Sequence, residues 1–392
     1  MPRRQYPLGH LLLTALLSVA GCSATPLADS EPEPTYPDPP DDWYASALER
    51  MEPLGHIVGA QPTPLPTRAA NDPRFEPVIE AAAAAASYGL IVWHNGQIVV
   101  EQYFAPYSQS LRPESASMAK TVLGLAVAAA ITDGVFKGAD ARIGDYLPAW
   151  RNDPRGDVTL RQLLTMSAGF EPLSREGGMN SAAVKFWADG PSARDTLLNL
   201  TLRDTPGEVF YYQDTLPPLL LLALEAATGQ PYERYLAARL WQRIGASDAY
   251  VWRNEPDGFP RAQSALLATA RDWLRVGLLI KDNGSFLGER VIAAGVMDEV
   301  AAPSATNPNY GWLLWRGATY QARRYYNDFN EGFSTFASEP YRLDDWLFLD
   351  GYGGQRVYVS RQADLVIVRL GALRGAWDDA LLPNLASAAL GY

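Results

Sequence analysis

Two short apolar runs, YGLIVWH from Tyr88 and QIVVEQYF from Gln97, flank Asn95-Gly96 and predict a β-hairpin. Asn-Gly accepts the positive φ angles of a tight hairpin turn, and branched and aromatic residues suit a buried pleated strand. An alanine-rich stretch from Asn71 to Ala86 predicts a helix before them. The next apolar segment has no polar face. TVLGLAVAAAI, from Thr121, is apolar almost all round, so a helix over about Ser117–Asp133 is expected to be central and buried. Gly134 stands near its C-terminus, where a left-handed residue is favoured.

Further along, Asp157–Gly169 predicts a short helix closed by glycine, and residues 170–205 look irregular. Helices are predicted at Leu216–Thr228, closed by Gly229, at Tyr232–Ile244 and at Thr269–Asp282. Strands return near Tyr310–Arg316, Asp345–Asp350, Gln355–Ser360 and Asp364–Leu370, before a closing helix at Ala376–Leu390. Residues 53–74 read as an irregular wrap, and 317–345 as a long aromatic loop. Strands, then many helices, then strands and a helix predict an α+β fold. One antiparallel sheet is built from both chain ends and flanked by helices, with an inserted mainly helical region at about 135–300.

The N-terminus follows a different pattern. Arg3 and Arg4 precede an apolar run, Leu11–Ala20, that is too short to span a bilayer. Residues 1–21 therefore read as a secretory signal. Val19-Ala20-Gly21-Cys22 resembles a bacterial lipobox, which implies lipidation of Cys22, the chain's single cysteine. The expected location is the bacterial cell envelope, lipid-anchored at the outer membrane and facing the periplasm. Residues 22–42 are acidic and proline-rich, an expected tether ahead of a globular domain at 43–392.

Composition narrows the chemistry. The chain has 33 basic and 44 acidic residues, a net charge of −11, and no basic run, which argues against a nucleic-acid partner. The three histidines are His10, in the signal, His56, in a Pro/Gly-rich segment, and His94, at the hairpin turn. None is placed as a base beside a serine, and there is no G-x-S-x-G elbow. One cysteine and so few histidines leave no usual zinc site, so no metal and no cofactor are expected. Serine chemistry here would rely on lysine or tyrosine.

Ser117-Met118-Ala119-Lys120 supplies that lysine. S-x-x-K is the pattern of serine hydrolases that activate the nucleophile with lysine. On a helix, residues three apart share a face, so Ser117 and Lys120 would enter one pocket from the first turn. Taken alone, such a tetrad is more often a helix cap followed by a solvated charge.

The surrounding segments resemble the serine β-lactamase and penicillin-binding-protein-like superfamily, in its class C β-lactamase and esterase branch. They are most similar to its 6-aminohexanoate-dimer-hydrolase-like group. The matching segments are SMAKTVLGLAV at 117, VTLRQLLTMSAGF at 158, PGEVFYYQDT at 206, TARDWLRVGLL at 269, YGWLLW at 310 and GYGGQRVYV at 351. The resemblance implies the β-lactamase/transpeptidase-like fold. It also implies Tyr212 as base on the serine and acid to the leaving group, with Lys120 promoting its ionisation. Asp214 departs from the family's asparagine. Leu349-Asp350-Gly351 fills the slot of the K-T-G or H-T-G motif without its cation or threonine. The backbone N–H groups of Ser117 and Tyr352 would form the oxyanion hole. Asp214, Gly351, Gly353 and Trp187 are candidates for lining the substrate pocket.

The implied activity is a serine hydrolase that cleaves a small ester or linear amide through an acyl-enzyme on Ser117. A β-lactamase, a D-Ala-D-Ala carboxypeptidase-like cell-wall enzyme and a non-catalytic penicillin-binding-like lipoprotein are the alternatives. The expected partners are the small-molecule substrate and, through Cys22, a membrane.

Overall fold

The computed structural model describes residues 54–174, 176, 181–188, 193–253, 258–326, 334–372 and 377–392. The signal, Cys22 and the tether lie outside the described residues. Asn95 and Gly96 adopt φ angles of 47° and 81°, and close the hairpin of β1 (Ser87–His94) and β2 (Gln97–Tyr103). The C-terminal half adds β3 (Trp315–Arg316), β4 (Leu347–Gly351), β5 (Gln355–Ser360) and β6 (Leu365–Gly371). Together they form a six-stranded sheet in the order β2-β1-β6-β5-β4-β3. Every pairing is antiparallel. The β1–β6 junction joins the two chain ends at the centre of the sheet, as the order of elements in the sequence implies.

Five helices matter most here: α1 (Glu76–Ala84), α2 (Met118–Thr132), α3 (Leu216–Thr228), α4 (Ala270–Lys281) and α5 (Leu381–Ala389). α2 is buried from Met118 to Ala130, as its all-apolar sequence requires. Gly229 closes α3 with φ 66°. Thr269 and Asp272 cap α4 reciprocally through a capping box. One face of the sheet packs on α4. A Cβ at Gly277 would lie 2.6 Å from Val366 Cγ1 and 3.0 Å from Val357 Cγ1. Tyr358 alternates with Val357 and Val359, and so points to the other face, where its hydroxyl accepts from Trp377 Nε1 at 3.0 Å.

Tertiary contacts override the sequence pattern in four places. Residues 170–205 contain two helices, Ala182–Ala188 and Ala193–Leu198. Residues 53–74 contribute a strand, Leu54–Ile57, which pairs with Ala249–Trp252 in a small separate sheet. The supposed strand at Tyr310–Arg316 pairs with β4 only through Trp315 and Arg316. The rest runs along α2 instead, where Thr121 Oγ1 donates to Leu313 O at 2.6 Å. The supposed loop at 317–345 contains an antiparallel pair, Arg323–Tyr325 with Ser334–Phe336. No helix among the described residues is long and apolar enough to cross a membrane.

The close approach of α4 to the sheet gives a stability test. Gly277→Leu should overpack the α4–sheet interface and cost about 1–3 kcal/mol. The expected result is a lower urea midpoint with an unchanged slope in equilibrium unfolding.

Candidate active site

Ser117 begins α2 at the end of a tightly tethered approach. Ser115 N donates to Leu266 O at 3.1 Å, and Ser115 Oγ accepts from Leu266 N at 3.3 Å. Ala116 N donates to Glu114 Oε1 at 2.9 Å. These bonds hold Ala116 at φ 47°, a left-handed conformation that costs energy for a residue with a Cβ. Ser117 occupies the N-cap position, where a serine usually bonds a backbone N–H of its own helix. Its side chain makes no such cap. Its Oγ instead accepts from Lys120 Nζ at 2.8 Å.

Lys120 is 1% exposed, so its nitrogen must find its partners within the protein. It reaches Ser117 Oγ at 2.8 Å, Asp214 Oδ1 at 2.7 Å and the carbonyl of Gln263 at 2.8 Å. An ammonium has three N–H donors, and these partners use all of them. An amine has two N–H donors and a lone pair. It could still serve Asp214 and Gln263 while accepting from the Ser117 hydroxyl. The same geometry therefore accommodates both protonation states of the lysine, which is what a proton acceptor for Ser117 needs.

Tyr212 completes the cluster. Tyr211 N donates to Met166 O at 2.8 Å and Tyr212 N to Tyr326 O at 3.2 Å. Gln213 Nε2 donates to Phe170 O at 3.1 Å, and Thr215 Oγ1 to Gln213 Oε1 at 2.8 Å. This short segment is pinned on both sides, and Tyr212 and Asp214 alternate toward Lys120. Lys120 Nζ lies 5.0 Å from the centre of the Tyr212 ring. Burial, followed by the charges of Asp350 and Asp214, pushes the Tyr212 phenol well above its ordinary pKa. A hydrogen bond with Ser117 and the charge of Arg324 oppose this less strongly. These surroundings favour the protonated phenol over the phenolate.

β4 passes on the other side of Ser117. A Cβ at Gly351 would lie 2.3 Å from Ser115 O and 3.2 Å from Met118 Cγ, so only glycine lets the strand come this close. Tyr352 starts the 3₁₀ turn Tyr352–Gly354 that leads into β5, and Gly353 takes φ 72° within it. The structure therefore gathers Ser117, Lys120, Tyr212 and Asp214, with Gly351, Tyr352 and Gly353 on the adjoining edge. Trp187 falls on the helix Ala182–Ala188, and its side chain lies outside the described residues.

The sequence did not reveal the charged ring behind this edge. Asp350 pairs with Arg324 Nη1 at 2.8 Å and Arg356 Nη1 at 2.6 Å. Asp379 pairs with Arg324 Nη2 at 2.6 Å and Arg356 Nη2 at 2.8 Å. Tyr326 donates to Asp350 Oδ2 at 2.7 Å. Burial disfavours a charged Asp350, but Arg356 and Arg324 outweigh it and hold the carboxyl below its ordinary pKa. Arg324 also lies 4.0 Å from the centre of the Trp315 ring. The cross-strand pairing of Asp350 with Arg356 was the one available signal, and it needs the β4–β5 register to be seen. Among the described residues, no group of three or more His, Cys, Asp or Glu side chains is placed to hold a metal ion.

The sequence profile of the β-lactamase family matches residues 75–389. The 6-aminohexanoate-dimer hydrolase of Paenarthrobacter ureafaciens is 25% identical over 366 residues, which is 87% of this chain and 86% of that protein. A Bacillus anthracis structure provisionally named for the same hydrolase superposes with a TM-score of 0.68 at 20% identity. That match covers 90% of this chain and 93% of the other. A family VIII carboxylesterase superposes with a TM-score of 0.57 at 15% identity, over 82% and 99% of the two chains.

Asp350 gives a pH prediction. Its carboxyl titrates lower in the folded protein than in the unfolded chain, where it titrates near pH 4. Its contribution to stability is complete above that value and is lost as pH falls toward the folded one. Asp350→Asn should destabilise the protein by about 3–5 kcal/mol at neutral pH by leaving the ring one carboxylate short. Chemical denaturation at a series of pH values should also show a shallower acid decline in the variant.

Proposed function

The chain belongs to the β-lactamase family, and on that premise we propose that it is a serine hydrolase cleaving a small ester or linear amide through an acyl-enzyme on Ser117. The observation that carries this reading is the 2.8 Å contact between Lys120 Nζ and Ser117 Oγ, with Asp214 and the Gln263 carbonyl fixing the lysine. Ser117 Oγ attacks the substrate carbonyl and gives its proton to the Lys120 amine. The carbonyl oxygen becomes an oxyanion, stabilised by the N–H groups of Ser117 and Tyr352. As the bond to the leaving group breaks, the Tyr212 phenol protonates the departing oxygen or nitrogen. Lys120 then returns a proton to Tyr212, so the acyl-enzyme starts with both groups neutral. Water repeats the sequence and releases the acid.

The preference for a substrate without an essential carboxylate rests on Asp350. It brings a negative charge to the position where relatives with K-T-G carry a cation. Arg324 and Arg356 balance that charge and Asp379 within the buried ring. A penicillin or a stem-peptide terminus would therefore meet no lysine on this strand. The reading retains the envelope location expected from Cys22.

The test is intact-mass spectrometry of the protein after treatment with a fluorophosphonate probe. One adduct is expected on the wild type and none on Ser117→Ala. A folded wild type that takes no adduct would remove the hydrolase reading. Lys120→Met and Tyr212→Phe should each lower kcat on p-nitrophenyl acetate by roughly 10²–10⁴-fold. Tyr212→Phe should lose more on an anilide than on the nitrophenyl ester, because nitrophenolate leaves without a proton.

A further inference from the structure

One contact of the buried ring reaches the backbone of the reaction centre. Arg356 Nη1 donates to the carbonyl of Gly351 at 2.7 Å while also pairing with Asp350. Arg356 is 1% exposed. Its other nitrogens are taken by Asp379, with Nε at 2.9 Å and Nη2 at 2.8 Å from Oδ1. A guanidinium anchored on two carboxylates cannot swing away, so the direction of the Gly351 carbonyl is fixed as well.

The Gly351–Tyr352 peptide is trans. In a planar trans peptide the C=O and the N–H point in opposite directions. Holding the Gly351 carbonyl toward Arg356 therefore turns the Tyr352 N–H the other way. Gly351 packs against Ser115 and Met118, two positions before and one after Ser117. The β4–β5 ladder holds Gly351 opposite Gln355, and Arg369 Nη1 donates to the carbonyl of Gly353 at 3.1 Å. Gly353 and Gly354, at φ 72° and 85°, make the following backbone permissive.

We infer that Arg356 is the positioning residue of the oxyanion hole, clamping the Gly351 carbonyl so that the Tyr352 N–H faces the carbonyl oxygen of a substrate on Ser117. This inference rests on the acyl-enzyme reading above. A charged donor on the carbonyl also polarises the peptide and makes its N–H a stronger donor. Asp350 and Asp379 act through Arg356, and Arg324 closes the ring without touching Gly351. The ring thus orients the backbone and does not bind substrate.

The test uses the acyl-enzyme formed on the full-length protein with p-nitrophenyl acetate ¹³C-labelled at the acetyl carbonyl, read by rapid-mixing infrared difference spectroscopy. The carbonyl stretch falls as hydrogen bonds in the oxyanion hole strengthen. Arg356→Lys, which keeps the charge but loses the fork, should move the band to higher frequency. It should also lower kcat by roughly 10–100-fold, within the range for losing one such donor, while KM stays within about threefold. Arg324→Lys should leave the band in place, although it disturbs the same ring. If Arg356→Lys does not fold, the paired change Arg356→Gln with Asp379→Asn removes one charge of each sign, and the same band shift is expected. An unshifted band with kcat within threefold of wild type in whichever of these folds would overturn the inference and leave the acyl-enzyme reading intact. A wild type that acquires no acetyl group on Ser117 would overturn both.

Discussion

The site depends on one buried nitrogen. Lys120 Nζ is out of water and must be satisfied from inside, and its three acceptors come from three separate parts of the chain: Ser117, Asp214 and Gln263. α2 supplies the lysine and the serine together, so their separation depends on one turn of helix. Asp214 arrives on a segment pinned by Met166, Phe170 and Tyr326, and Gln263 on the turn before Leu266, which in turn tethers Ser115. Moving any of the three would leave a polar nitrogen buried with an empty valence. That penalty fixes the relative positions of otherwise distant loops.

Two charge systems share the small space around Tyr212. One is Lys120 with Asp214, and the other is the ring of two aspartates and two arginines. The ring carries two charges of each sign, whereas Lys120 balances Asp214 only while the lysine holds its extra proton. Within this space, burial and the two nearby carboxylates raise the pKa of the Tyr212 phenol. The resemblance suggested an ionised base made possible by Lys120. Burial and the two carboxylates act against such an ionisation at rest, while the hydrogen bond with Ser117 and the charge of Arg324 act for it.

The parts legible in the sequence are those encoded locally. Asn95-Gly96, Gly229, the all-apolar α2 and the S-x-x-K spacing each state their structure within a few residues. The order of elements was enough to place both chain ends in one sheet. Contacts across the chain were not legible. Arg323-Arg324-Tyr325 has no alternation that marks a strand, because Arg324 is buried by Asp350 and Asp379 rather than by apolar partners. Leu54-Gly55-His56-Ile57 is too short to show a period. Tyr310–Leu314 is apolar enough for a strand but lies on α2. Asp350 could be read as a missing cation, yet nothing nearby in sequence showed that two arginines would meet it.

The ring is not needed to fill space. Burying two arginines and two aspartates costs hydration that their pairing has to offset, and an apolar cluster of similar volume is often at least as stable. An apolar cluster could not donate to a carbonyl. β4 ends next to Ser117 in a turn with two glycines at positive φ, where Arg369 Nη1 also donates to the carbonyl of Gly353 at 3.1 Å. The carbonyl of Gly351 takes a charged donor that is held rigidly and away from water. Arg356 fits that description because Asp379 and Asp350 immobilise its guanidinium. A buried charged ring beside this turn is thus explained by direction: it sets where one backbone N–H points.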